Sequence, residues 1–155
     1  MKPLIVLIVT FFISLIIIKL TFGIYDLQMA GRIAMSIMLL FTSIAHFKFV
    51  EGMAMMVPDI IPNKKLVVYI TGYIEIAAAI GLLFSSTQYL TAWFLILFFI
   101  VLLPANIHAA LKKVNFETGT YTGNGTSYLW FRIPLQIFFI AWVYFSCIFI
   151  NNQGF

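Results

Sequence analysis

Residues 69–84 read YITGYIEIAAAIGLLF, a run that is apolar almost throughout and carries one glutamate, Glu75, near its middle. A carboxylate taken out of water loses several kcal/mol of hydration, so this residue demands a partner, a proton or a ligand. Thr71 stands one helical turn earlier on the same face, and Gly72 and Ala79 thin that side enough for close approach of another backbone. A face built this way packs against protein rather than lipid.

The rest of the chain sets the surroundings. Of 155 residues, 63% are hydrophobic and 9% charged, where a soluble domain carries about 25% charged residues. The chain cannot cover its own surface with polar groups, and its first partner is the lipid bilayer. The net charge of +4 comes from residues scattered at the ends of apolar runs, a topology pattern rather than a phosphate-binding patch, so no nucleic-acid partner is expected.

A spanning helix needs about 20 mainly apolar residues. Five runs qualify: 3–22, 28–47, 66–84, 89–111 and 129–150. The fold class expected is an all-α membrane protein of five transmembrane helices. The first run is too long for a signal peptide and no A-x-A-like site follows it, so it is read as a membrane helix. Lys2, Lys48, Lys64, Lys65, Lys112, Lys113 and Arg132 fall on one side of these spans, Lys19 and Arg32 on the other. That bias places the N-terminus in the cytoplasm and the terminal NNQGF outside.

The connections differ in kind. SSTQ, residues 85–88, is a tight outer turn. KFVEGMAMMVPDIIPNKK, residues 48–65, predicts an amphipathic interfacial helix over its first half, ended by Pro58 and Pro62. The stretch 114–128 is rich in Gly and Thr and reads as an irregular loop. Its Asn124 sequon falls on the cytoplasmic side and carries no glycan there.

Polar residues gather toward the cytoplasmic half. Counted from residue 66, Glu75 lies nine residues in, about 13 Å along the helix and near the midplane. His46 closes the second run. LPANIHAALKK brings Asn106 and His108 into the end of the fourth. RIPLQ places Arg132 and Gln136 four apart at the start of the fifth. Asn106 and His108 project about 200° apart; Asn106 is assigned to the cavity with Glu75, and His108 to the interface. Two readings stay open: a buried Glu75–Arg132 ion pair that locks two helices, or a ligand site formed by Glu75, Arg132, Asn106, His46, Gln136 and Thr71. No metal site is expected, because His46 and His108 lack paired-ligand spacing. Cys147 stands alone, so neither an internal disulfide nor a dithiol mechanism is available.

The segments around His46-Phe47, MVPDIIPNKKLVVYITGYIEIAAAIGLLF, LPANIHAALKK and LWFRIPLQ together resemble the DoxX-like family of small bacterial membrane proteins. The likeness runs over about 32–150. It implies that residues 28–155 form a four-helix antiparallel membrane domain and residues 1–27 an additional N-terminal helix. It marks His46, Pro58, Thr71, Gly72, Glu75, Pro104, Asn106, Arg132, Pro134 and Gln136 as the positions that match. It also implies a multi-pass protein of the bacterial inner membrane, in a family whose members are linked to quinone-coupled sulfur oxidation, oxidative-stress complexes or receptor assembly. Redox-associated relatives carry cysteine pairs; this chain departs from them. The function expected is binding of a quinone or lipid-like amphipathic ligand, with Glu75 exchanging a proton, Arg132 and Asn106 holding a carbonyl or anionic group, and His46 gating proton access. Any electrons then come from a redox partner protein. The sequence itself requires no cofactor. The alternative is an assembly or scaffold protein whose polar residues only fix helix packing.

Overall fold

A computed structural model describes residues 2–149. The NNQGF terminus expected outside, and Ile150 at the end of the fifth run, lie outside the described residues. Among those described, all extended regular structure is helical, and one isolated bridge joins Asn115 to Thr120.

Helix α1, Lys2–Phe22, ends where Gly23 adopts φ 73° and its N–H returns to the Lys19 carbonyl, a left-handed stop that suits glycine. Helix α2, Leu27–Lys48, opens on Asp26, whose carboxylate accepts the Met29 N–H at 2.8 Å and so satisfies one of the orphan donors of the first turn. A five-residue helix α3, Val50–Ala54, follows. Helix α4, Lys64–Gly81, begins after Asn63 at φ 52°, a conformation asparagine tolerates better than most residues. The fourth apolar run is divided into α5, Gln88–Val101, and α6, Leu103–Leu111. Pro104 has no N–H to give the preceding turn, and the helix breaks there. Helix α7, Ser127–Cys147, carries Pro134 inside it.

Among the described residues, four segments are long and apolar enough to cross a membrane: Lys2–Phe22, Leu27–Lys48, Gln88–Leu111 and Ser127–Cys147. Helix α4 has 18 residues but opens on two lysines and holds Glu75, and charged groups weigh heavily against insertion by composition alone. The long helices run up and down in turn. α2 packs on α4 and α7, and α5 packs on the same two. These four therefore close a ring, with α4 and α7 on opposite corners. α1 lies outside the ring along α2, and its Phe11 meets Trp142 of α7 edge-on at 5.1 Å. The core is filled by Leu7, Met35, Met38, Leu39, Leu82, Leu95 and Val143.

Charge is partitioned between the two ends. At one end Lys2 binds Glu117 at 2.8 Å, Lys65 binds Glu51 at 2.5 Å, and Lys64 and Lys112 share Asp59. These contacts gather the start of α1, the start of α4, the end of α6 and the loop before α7 on one face. At the opposite end Lys19 bonds the Tyr25 hydroxyl. The interfacial helix expected over residues 48–57 is shorter than its pattern implied. Lys48 ends α2, Val50–Ala54 alone forms the helix that follows, and Met53 packs on a small cluster of Ala54, Val57 and Val68. The apolar side of this segment packs against Val67 and Val68 in the first turns of α4, which removes it from water.

Candidate functional site

Glu75 is 5% exposed. Three features of α4 bring it to α2. Gly72 lets the helices touch: a Cβ placed there would stand 2.9 Å from the His46 Cβ, closer than carbon atoms pack. Thr71 donates its hydroxyl to the Val68 carbonyl at 2.8 Å, a bond within its own helix that frees no second hydrogen. Glu75, one turn further on, then meets the ring of His46, with Nε2 3.5 Å from Oε1.

Thr71 Oγ1 also lies 3.0 Å from His46 Nδ1, a contact whose donor depends on the tautomer of the ring. At 3.5 Å the Nε2–Oε1 separation is an ion-pair distance and too long for a strong hydrogen bond. The second oxygen, Oε2, is buried and has no hydrogen-bond partner among the described residues.

Because Gly72 stands opposite His46 near the end of α2, Glu75 lies about three residues, ~4.5 Å, further in than His46. Counting along α4 alone put Glu75 near the midplane. The register against α2 sets it nearer the lysine-rich end, since α4 begins several residues beyond the point where α2 stops.

The remaining candidates form a second cluster on α5, α6 and α7. Arg132 Nε donates to Asn106 Oδ1 at 3.2 Å, and Asn106 Nδ2 donates to Gln136 Oε1 at 3.2 Å. Gln136 Nε2 donates to the Phe99 carbonyl, just before the break ahead of Pro104. Asn106 and Gln136 are buried, and the partly buried Arg132 guanidinium lies 5.9 Å from the centre of the Tyr128 ring. Glu75 and Arg132 make no ion pair with each other. Their helices occupy opposite corners of the ring, which removes the direct locking contact that the sequence allowed. The six candidates therefore fall into one trio on α2 and α4, Thr71, His46 and Glu75, and a second on α6 and α7, Asn106, Arg132 and Gln136.

His108 sits apart from both. Its Nδ1 is 3.1 Å from the Met56 carbonyl, to which it must donate, and its Nε2 is 3.8 Å from Asp59. Asp59 is the residue that sequence reasoning passed over. Hydrogen bonds from Lys112 first, and then Lys64, hold its carboxyl far below the usual carboxylate range. The same bond to Asp59 raises Lys112 above an ordinary lysine. The signal for it was present as PDIIPNKK, an acid between two prolines with two lysines following, but the second cation comes from α6. The carbonyls of Val68 and Phe99 were also missed, since backbone acceptors leave no mark in a side-chain pattern. No group of three or more His, Cys, Asp or Glu residues suited to a metal forms among the described residues.

Residues 35–147 match the model of a domain of unknown function, DUF8561. The chain belongs to the DUF8561 family. All six candidate residues lie within the matched stretch, and α1 lies outside it. No curated protein and no solved structure matches the chain.

Proposed function

We propose that this DUF8561 protein is a five-span protein of the bacterial inner membrane that binds a quinone or lipid-like amphipathic ligand in the half of its bundle nearer the lysine-rich end. That end faces the cytoplasm, by the positive-inside rule, so the start of α1 is cytoplasmic and the end of α7 periplasmic. α4 counts as the fifth span because its charged groups are paired or turned inward among the helices rather than exposed to lipid. On this reading the DoxX-like motifs at His46, Thr71, Gly72, Glu75, Asn106, Arg132 and Gln136 mark the same arrangement in both families.

The observation that carries the reading is the unpartnered Oε2 of buried Glu75. A carboxyl kept only to hold helices together gains nothing from an unsatisfied oxygen, which costs about 1–3 kcal/mol. The cost is recovered if a ligand group occupies that position. Reduction of a quinone to its quinol takes one electron pair and two protons, one for each carbonyl oxygen, and Glu75, with His46 beside it, would supply one of those protons. The electrons come from a redox partner protein. Arg132 and Asn106 present N–H donors to a carbonyl or an anionic group.

A second reading, that of an assembly scaffold, draws on the other cluster. Asn106, Arg132, Gln136 and the Phe99 carbonyl satisfy one another across three helices, as interhelical polar glue does. Glu75→Gln separates the two. Glutamine keeps the shape and can hydrogen-bond in place of a protonated carboxyl, so the variant should melt in detergent close to wild type. It should also lose most of the quinone or lipid that co-purifies, or that is taken up from an added short-chain benzoquinone, measured by mass spectrometry. A variant that melts early yet retains every bound molecule refutes the ligand site.

A further inference from the structure

A different part of the molecule carries a second site. At the lysine-rich end, the start of α4, the end of α6 and the segments joining the helices surround a cleft of about 540 Å³. It is lined by Lys64, Lys65, Lys112, Asp59, Glu51 and Tyr121, among others. The volume falls in the range of small-molecule sites, about 300–1,000 Å³, and none of these residues belongs to the Glu75 or Arg132 clusters.

The arrangement of charge in the cleft is specific. Asp59 presents one carboxylate oxygen to Lys64, at 2.5 Å, and the other to Lys112. A single carboxylate thus holds two ammonium groups, from two different helices, side by side. Lys65 is held by Glu51 at 2.5 Å. Three cations face two carboxylates, so positive charge is in excess. Each ammonium has three N–H donors, and the carboxylate contacts do not use them all. The Tyr121 hydroxyl adds a neutral donor. The same end carries Lys2, paired with Glu117, and, by their place in the chain at the ends of α2 and α6, Lys48 and Lys113. Such a face focuses a positive potential on its concave part.

We infer that this cleft binds a phosphate group, carried either by an anionic phospholipid headgroup or by a soluble phosphate compound. Phosphate is a compact acceptor of several hydrogen bonds, matched by ammonium groups from Lys64 and Lys112 that Asp59 keeps together. The position favours the lipid as source. Basic pockets beside membrane helices on the positive side are where anionic headgroups lie, and Leu66, 55% exposed, lines the cleft with apolar surface suited to acyl chains, with Ala54 and Met55 beside it.

The test uses the full chain in detergent micelles containing equal phosphatidylglycerol and phosphatidylcholine, with retained lipid counted by native mass spectrometry. Wild type should retain phosphatidylglycerol in about tenfold preference. Lys64→Gln and Lys112→Gln, each of which leaves Asp59 one lysine, should both bring that ratio close to one. Lys2→Gln, which changes charge at the same end but outside the cleft, should leave it unchanged. In a second arm, inorganic phosphate is added to protein in phosphatidylcholine alone and the melting temperature is followed. A rise in wild type that the Lys64 and Lys112 variants lack assigns the site to soluble phosphate. No rise, together with a phosphatidylglycerol preference, assigns it to lipid. The inference is overturned if wild type shows neither response, or if Lys2→Gln lowers the ratio as much as the cleft variants do. It is also overturned if cleft variants that melt as wild type keep its preference. Both arms are independent of Glu75→Gln, so either site can fail alone.

Discussion

Gly72→Ala tests the contact on which the Thr71–His46–Glu75 cluster depends. The added Cβ would lie 2.9 Å from the His46 Cβ and 3.2 and 3.3 Å from the Phe47 ring. Carbon atoms pack at about 3.5–4.0 Å, so α2 and α4 must part by roughly 0.6–1.1 Å at this point. Neither obstacle is the free end of a flexible chain: one is the first side-chain atom of a helical residue, and the Phe47 ring is packed on Tyr73 at 5.2 Å. Overpacking of this kind costs about 1–3 kcal/mol. Parting the helices also stretches Thr71–His46 from 3.0 Å past hydrogen-bond length, a loss of about 1 kcal/mol. Alanine gains about 1 kcal/mol over glycine in helix propensity. The net expectation is a destabilisation of about 1–3 kcal/mol, read as a lower melting temperature in detergent. The local signature is specific. Nitrogen NMR of ring-labelled His46 should show the Nδ1 resonance shifted as its contact with Thr71 is lost. A Gly72→Ala protein that melts at or above wild type with the Nδ1 signal unchanged refutes the close approach, and with it the placement of His46 against Glu75.

Other consequences are open to direct measurement. Asp59 titrates lower folded than unfolded, so its contribution is complete above the ordinary carboxylate value of 3.8 and declines as pH falls below it. Wild type should lose melting temperature on acidification in that range, while Asp59→Asn should start lower at neutral pH and show less further loss; equal acid sensitivity in both proteins contradicts the assignment. Cys147 is buried, and Cys147→Ala should lower stability by no more than about 1 kcal/mol without changing quinone or lipid retention. A large loss of retention would bring back thiol chemistry with a partner. In that Cys147→Ala background, a cysteine at Ser86 should react with an impermeant maleimide from outside the cell, and one at Thr118 only after lysis; the reverse pattern inverts the topology.

Much of the architecture is legible in the residues alone. The apolar runs mark an all-helical chain with several helices long and apolar enough to cross a membrane, four of them among the described residues, and the distribution of Lys and Arg already divides the molecule into two unlike ends. Both signals are local, arising from the cost of leaving backbone or charge in hydrocarbon, and need no knowledge of neighbours. Pro104 and the Pro58–Pro62 stretch likewise interrupt helices for reasons internal to the chain. The pairing of side chains is another matter. Glu75 and Arg132 are the two most conspicuous ionisable groups in the apolar runs, and opposite charge alone would join them. Only the ring order of the helices separates them and gives Glu75 to His46 and Arg132 to Asn106. Register matters in the same way. Depth counted along α4 puts Glu75 near the midplane, while the contact at Gly72 draws it toward the lysine-rich end. Asp59 bridges lysines 5 and 53 residues away, and the second of these exists only because α6 returns to the start of α4. A sequence records what each helix must bury, but which buried groups meet depends on how the helices are ordered and offset. That is decided by the packing of all of them at once.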